Sequence, residues 1–239
     1  LILTPTYLIR KAYKNNEFRP FIFYGPYGYG KTSLAIKVLA QLYGEWDGDK
    51  LIKPCWDWEV LRDKIVMTPP EFVEKMKQLV SQNKRDLCLL ADDAGLWLFA
   101  LDWYDPFVKA VTKFLNVART CLASVIFTTP LPTMILGKVR GLPQLISVKI
   151  VKATGNPEKH ARWMRYATGY RWVVLPDMKK TMVKVVFRDR FYCKLPDDIY
   201  KKYCELRQQY VDSAVYYLKK ELARSHIKHL ELLKSASQD

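Results

Sequence analysis

One octet dominates the chemistry available to this chain. Gly25-Pro26-Tyr27-Gly28-Tyr29-Gly30-Lys31-Thr32 fits the pattern GxxxxGK[ST], and Ser33 follows it. The glycines let the backbone curl so that successive N–H groups face inward on an anion, and a helix starting at the end of the octet presents its positive terminus to the same charge. Lys31 adds a side-chain cation for the outer phosphates, and Thr32 adds a hydroxyl for a hard cation such as Mg2+. The second constellation is Asp92-Asp93, sixty-one residues beyond Lys31, at the end of the apolar run Leu87-Cys88-Leu89-Leu90-Ala91. Two carboxylates at the C-terminal end of a buried strand lie where open α/β sheets take ligands. Asp92 is placed to hold Mg2+ through water, and Asp93 to act as the base on an attacking water.

These groups need a frame. Phe21-Ile22-Phe23-Tyr24 reads as a buried strand running into the octet, and Leu34, Ile36, Val38, Leu39 and Leu42 mark a helix that Gly44 ends. Residues 44–58 read as a loop, and 63–67 hold a second strand. Thr68-Pro69-Pro70-Glu71 is a helix start, with Thr68 as cap and Glu71 at the capping-box position, ahead of an apolar stripe of Phe72, Val73, Met76, Leu79 and Val80. A helix over 106–120 and a strand over 124–127, ending in Thr128-Thr129, continue the alternation; 145–151 is the last strand of this kind. Strands alternating with helices predict a parallel sheet covered by helices. The pattern changes over 161–194, where short aromatic and β-branched runs, split at Thr168-Gly169 and Pro176-Asp177, read as an antiparallel ribbon. A long amphipathic helix starts at Asp197. The division expected is a nucleotide-binding core over 1–152 and a basic ribbon with C-terminal helix over 153–239.

Charge points to a polyanion. The 239 residues carry 39 Lys and Arg against 24 Asp and Glu, a net charge of +15. Residues 149–194 alone hold twelve Lys and Arg against three acids, interleaved with Trp163, Tyr166, Tyr170, Trp172, Phe187, Phe191 and Tyr192. Cations bind phosphates with counterion release, aromatics stack on bases, and a ribbon is thin enough for a groove. Lys179-Lys180 falls at the ribbon tip, and Arg162, Arg165 and Arg171 on the preceding arm. DNA is the expected partner. Five cysteines without CxxC spacing, and His226 and His229 without a supporting acid cluster, speak against a disulfide framework and a zinc site, and for a reducing cytoplasm. No apolar run reaches the length of a membrane span, so no membrane partner is expected.

The octet, the apolar strand ending in Asp92-Asp93 and the polar Thr128-Thr129 resemble the Walker A, Walker B and sensor 1 elements of AAA+ ATPases. The Asp-Asp pair is similar to that of DnaA-type initiators and their helicase-loader relatives, and the basic, aromatic tail resembles ATPases encoded by viruses and plasmids of thermophilic archaea. The resemblance covers residues 20–150. It implies ATP and Mg2+ as cofactors, with Gly25 to Ser33 on the nucleotide and Thr32 and Asp92 on the metal. It also implies a five-stranded parallel sheet with the sensor strand between the P-loop and Walker B strands. Thr128 or Thr129 would then reach the γ-phosphate or the attacking water, Thr129 being preferred. Arg140 would act on a neighbour's γ-phosphate in an ATP-dependent homo-oligomer, with a helicase or replication protein as a further partner. No sensor 2 arginine or compact helical lid is evident. The functions that follow are a DNA-acting ATPase in replication initiation or helicase loading, a DNA-translocating packaging or conjugation motor, a small-molecule P-loop kinase, or a nucleotide switch with slow turnover.

Overall fold

The computed structural model describes residues 1–101, 104–153, 161–175, 180–212 and 215. The ribbon tip over 176–179, and the C-terminal helix from 213 onward apart from 215, lie outside the described residues. The chain divides into two compact units, Leu1–Leu195 and Pro196–Asp239.

The first unit begins with α1 (Thr4–Lys14), β1 (Phe21–Tyr24) and α2 (Lys31–Leu42). It continues through β2 (Glu45–Asp47), β3 (Lys50–Lys53), α3 (Trp58–Asp63), β4 (Ile65–Val66), α4 (Pro69–Ser81), β5 (Leu89–Ala91), α5 (Pro106–Leu115), β6 (Val125–Thr129), α6 (Gly137–Arg140) and β7 (Ile146–Lys152). Two long strands, β8 (Met164–Leu175) and β9 (Lys180–Tyr192), close it. In the second unit a helix, α7, runs over 197–212, and Gln208 donates to Asp212 one turn on.

The sheet has seven strands in the order β4-β5-β6-β1-β7-β8-β9. The five strands from β4 to β7 are mutually parallel, and β6 stands between β1 and β5. The five-strand expectation is therefore corrected in one respect. β8 pairs antiparallel with β7, and β9 with β8, so the basic strands extend the core sheet and do not form a ribbon apart from it. The expected boundary at 152/153 falls at the end of β7, inside that sheet; the compact units part at 195/196.

The central strands are buried on both faces, as the continuous apolar runs of parallel strands require. On one face Ile22, Leu89, Ala91, Val125 and Phe127 pack with Phe72, Met76 and Leu79 of α4, Val108, Val111 and Leu115 of α5, and Val139 of α6. On the other, α2 contacts β1, β5 and β6, with Leu34, Ala35, Ile36, Val38, Leu39 and Leu42 buried. Each fully buried Leu, Ile or Phe contributes about 1.5–3 kcal/mol. Two residues read into the α4 stripe, Val73 and Val80, are exposed instead. The cap of α4 forms as expected: Thr68 accepts from the Glu71 N–H, and the Glu71 carboxylate reaches back to the N–H of Met67.

The stretch 44–58, read as a loop, holds the β2–β3 hairpin and the start of α3. Gly48 makes the turn at φ 56°, Trp46 donates its indole N–H to the Gln41 carbonyl, and Arg10 lies 3.6 Å over the Trp46 ring. Thr168-Gly169, read as a break, lies within β8. The Phe187 ring occupies the space a Cβ on Gly169 would fill, and the pairing with β9 shifts register between Gly169 and Tyr170.

Candidate nucleotide site

β1 delivers the octet at the C-terminal edge of the sheet, and α2 starts at Lys31. Gly25 (φ 149°) and Gly30 (φ 89°) take backbone angles that side chains disfavour. Both are also hemmed in. A Cβ on Gly25 would stand 2.5 Å from the Ile150 carbonyl oxygen of β7, and one on Gly30 would stand 2.9 Å from Cys193 Cβ. The Gly25 N–H donates to the Pro130 carbonyl after β6, and the Tyr29 N–H to Pro26 within the loop. Gly30 caps α2 without a side chain, so no side-chain cap competes for the first-turn N–H groups of Lys31, Thr32 and Ser33. Lys31 is buried, and its ammonium donates to the carbonyls of Gly25 at 2.8 Å and Pro26 at 3.1 Å, with the Tyr27 ring 5.4 Å away.

The carboxylate of Asp92 is fully buried at the end of β5, next to this loop. Its Oδ1 accepts from Thr32 Oγ1 at 2.8 Å and from Thr128 Oγ1 at 2.6 Å. Thr128 Oγ1 accepts in turn from the N–H of Asp93 at 2.8 Å. One hydroxyl on β6 thus ties both acidic residues to the sheet. Asp93 adopts φ 47°, a left-handed conformation that Asp tolerates better than most residues. The turn carries its side chain to a half-buried position beyond the strand end.

The sequence expectations meet this geometry unevenly. The octet, Asp92 and Asp93 come together. Of the two threonines, Thr129 Oγ1 donates to the Leu131 carbonyl at 3.0 Å and crowds Gly95, whereas Thr128 Oγ1 bonds the Asp92 carboxylate and the Asp93 N–H. Arg140, at the end of α6, is exposed and donates through Nε to the Ile135 carbonyl at 2.9 Å. Arg165, expected on the arm before the ribbon tip, is buried beside the octet. Its Nε donates to the Tyr29 carbonyl at 3.2 Å, and Nη1 to the carbonyls of Arg162 and Met164 at 2.8 Å each. Lys152 lies 4.9 Å over the Tyr29 ring, and burial pushes the Cys193 thiol up, which suits a packing role. The signal that would have found Arg165 is period-two alternation: it shares a face with Ala167 and Gly169, both buried.

The donor set fits Mg2+. A buried carboxylate hydrogen-bonded to the P-loop hydroxyl is a hard-oxygen pair, and magnesium in such sites takes one or two protein oxygens with phosphates and waters. Thr32 and Asp92 would hold it, and the ion would neutralise charge on the terminal phosphates. No cluster of three or more His, Cys, Asp or Glu suited to an all-protein metal cage occurs among the described residues. Nor, among them, is any helix long and apolar enough to cross a membrane.

No family model matches the chain. An uncharacterized protein of Sulfolobus spindle-shape virus 1 is 29% identical over 203 residues, covering 84% of this chain and 78% of that protein. An uncharacterized protein of Acidianus two-tailed virus is 27% identical over 149 residues, 61% of this chain and 48% of the relative, so the match spans about half of that relative. Among solved structures, the N-terminal domain of zonular occludens toxin from Neisseria meningitidis aligns with a TM-score of 0.41 and 14% identity, over 77% of this chain and 97% of that one. The genome packaging NTPase of Sulfolobus turreted icosahedral virus 2, solved with ATP-gammaS, aligns with a TM-score of 0.36 and 16% identity, over 72% of this chain and all of that one.

Proposed function

We propose that this chain is a viral, magnesium-dependent ATPase that acts on DNA. The observation that carries the reading is the chain of hydrogen bonds Thr32–Asp92–Thr128–Asp93, which joins the phosphate loop to the Asp92 carboxylate and the Asp93 N–H at one sheet edge. In this reading the octet's N–H groups and Lys31 bind the β- and γ-phosphates, Thr32 and Asp92 hold Mg2+, and Asp93 takes the proton of the attacking water. Arg140 completes the site of a neighbouring copy in an ATP-dependent homo-oligomer. DNA is the substrate that the excess positive charge favours, and the viral relatives supply the biological setting.

The hydrolysis serves either replication initiation and helicase loading or the movement of DNA itself. One observation favours the second use. After β7 the chain extends the sheet with two antiparallel strands, where the AAA+ resemblance implies a helical lid. Phosphate release with and without DNA tests the common part. Lys31→Ala should lose ATP binding, and Asp93→Asn should bind ATP and not turn it over. A wild-type rate from Asp93→Asn would remove the base assignment, and a rate indifferent to DNA would favour a kinase or a switch. ATP-driven displacement of a third strand from a DNA triplex separates a motor from a loader.

A further inference from the structure

The sheet face formed by β7, β8 and β9 has the makings of a polynucleotide surface. Strand register puts Lys149, Thr168 and Arg188 in one row across it, Val151, Tyr166 and Arg190 in the next, and Ser147, Tyr170 and Val185 on the other side. Met164 opposite Tyr192, and Trp172 opposite Val183, extend the same face at its two ends. Lys149, Arg188 and Arg190 are exposed, as are Tyr166, Tyr192 and Trp172, the last at 60%. On the reverse side Ala167, Phe187 and Phe191 are buried and Asp189 accepts from Thr4 of α1, while Arg171, Met182 and Lys184, further along the strands, are exposed. The open face thus carries three cations and no acid among the described residues, and three exposed rings stand on it beside Val183 and Val185.

Resting on the DNA-acting reading above, we infer that this open face binds single-stranded DNA, with bases stacked on Tyr166, Tyr192 and Trp172 and phosphates on Lys149, Arg188 and Arg190. Two arguments select single strands. Bases in a duplex already stack on one another and hide their faces, so rings standing on a sheet gain contact only with unpaired bases. The surface is also too wide for a groove. The three strands belong to a seven-stranded sheet, whereas a major groove admits an α-helix or a two-stranded ribbon.

The test is fluorescence anisotropy of the full chain with a labelled oligo-dT, a duplex of equal length and an oligo-rU. Tighter binding of oligo-dT than of duplex is expected. Tyr166→Ala and Trp172→Ala should each weaken it by about 5- to 150-fold, the equivalent of roughly 1–3 kcal/mol per stacked base, with little change in salt slope. Arg188→Gln should weaken it and reduce the magnitude of the log–log salt slope by about 0.7. Both rings are exposed, so melting temperature and DNA-free ATP hydrolysis should hold in each variant. Binding to duplex alone would overturn the inference and leave a DNA-acting ATPase in place. Failure to bind any of the three would sink both readings. Preference for oligo-rU would move the proposal to RNA and overturn it for DNA. Single-strand binding untouched by the two Ala variants would show that the face does other work.

Discussion

Thr128 and Thr129 are adjacent, equally buried and differently employed, which makes them a sharp test of the catalytic geometry. Thr→Val keeps the shape and deletes the hydroxyl. At Thr128 the deletion removes a 2.6 Å bond to the Asp92 carboxylate and strands the Asp93 N–H. A hydrogen bond to a charged group is worth about 1.5–3 kcal/mol. If that loss falls on the alignment of the two acids at the transition state, turnover drops about 10- to 150-fold at about 1.4 kcal/mol per decade. ATP affinity should change little, because the P-loop donors and Lys31 are untouched. At Thr129 the deletion removes one neutral bond to the Leu131 carbonyl, worth about 0.5–1.5 kcal/mol of stability, and should leave turnover within about twofold. Steady-state phosphate release, nucleotide titration and thermal melts on both variants decide the matter. A Thr129→Val protein that loses turnover beside an active Thr128→Val would refute the reasoning and return the sensor role to Thr129.

Arg140→Ala should bind ATP normally and hydrolyse it slowly, and mixing it with Lys31→Ala should restore some activity; no recovery in the mixture, with a monomeric mass in ATP, would end the trans assignment. Gly169→Ala should cost about 1–3 kcal/mol in urea unfolding, because the new methyl displaces the Phe187 ring; an unchanged midpoint would show that the ring moves freely. Asp63 sits between Lys64 and Lys75. Burial alone would raise its pKa, but hydrogen bonds from the two lysines outweigh it and hold the carboxyl below its ordinary value. That stability is present above the unfolded pKa of about 3.9 and fades as pH falls through the lower folded value. Asp63→Asn should therefore be less stable at neutral pH, with the difference shrinking below about pH 4; a difference that grows in acid would contradict the ion-pair account.

What the sequence disclosed and what it hid divide along physical lines. The octet and Asp92-Asp93 were legible because their chemistry demands residue types at fixed spacing, and because the buried parallel strands that carry them read as apolar runs. The placement of β6 between β1 and β5 came with the resemblance and matches the register. Hidden were features decided by partners distant in sequence. Gly169 signals a turn locally, but the Phe187 ring overrides it. Thr128 and Thr129 are indistinguishable until strand direction decides which hydroxyl faces Asp92. The β2–β3 hairpin lacks alternating apolar residues and depends on Trp46 lying against α1 and α2.

Arg165 carries the largest consequence of this kind. As one of twelve cations in a basic segment it looked like part of a solvated arm, yet it is the inward neighbour of Tyr166 on β8. Residue by residue, β8 alternates between the two sides of the sheet. Arg165 faces the phosphate loop and holds the Tyr29 carbonyl, while Tyr166 faces solvent across from Arg190. The end of β9 repeats the arrangement, with Tyr192 outward and Cys193 packed against Gly30. Gly25 and Gly30 are thus constrained twice, by the curl of the loop and by Ile150 of β7 and Cys193 after β9, each within 3 Å of where a Cβ would stand. A phosphate loop backed in this way cannot relax independently of the strands behind it. The antiparallel strands are therefore part of the scaffold behind residues 25–30.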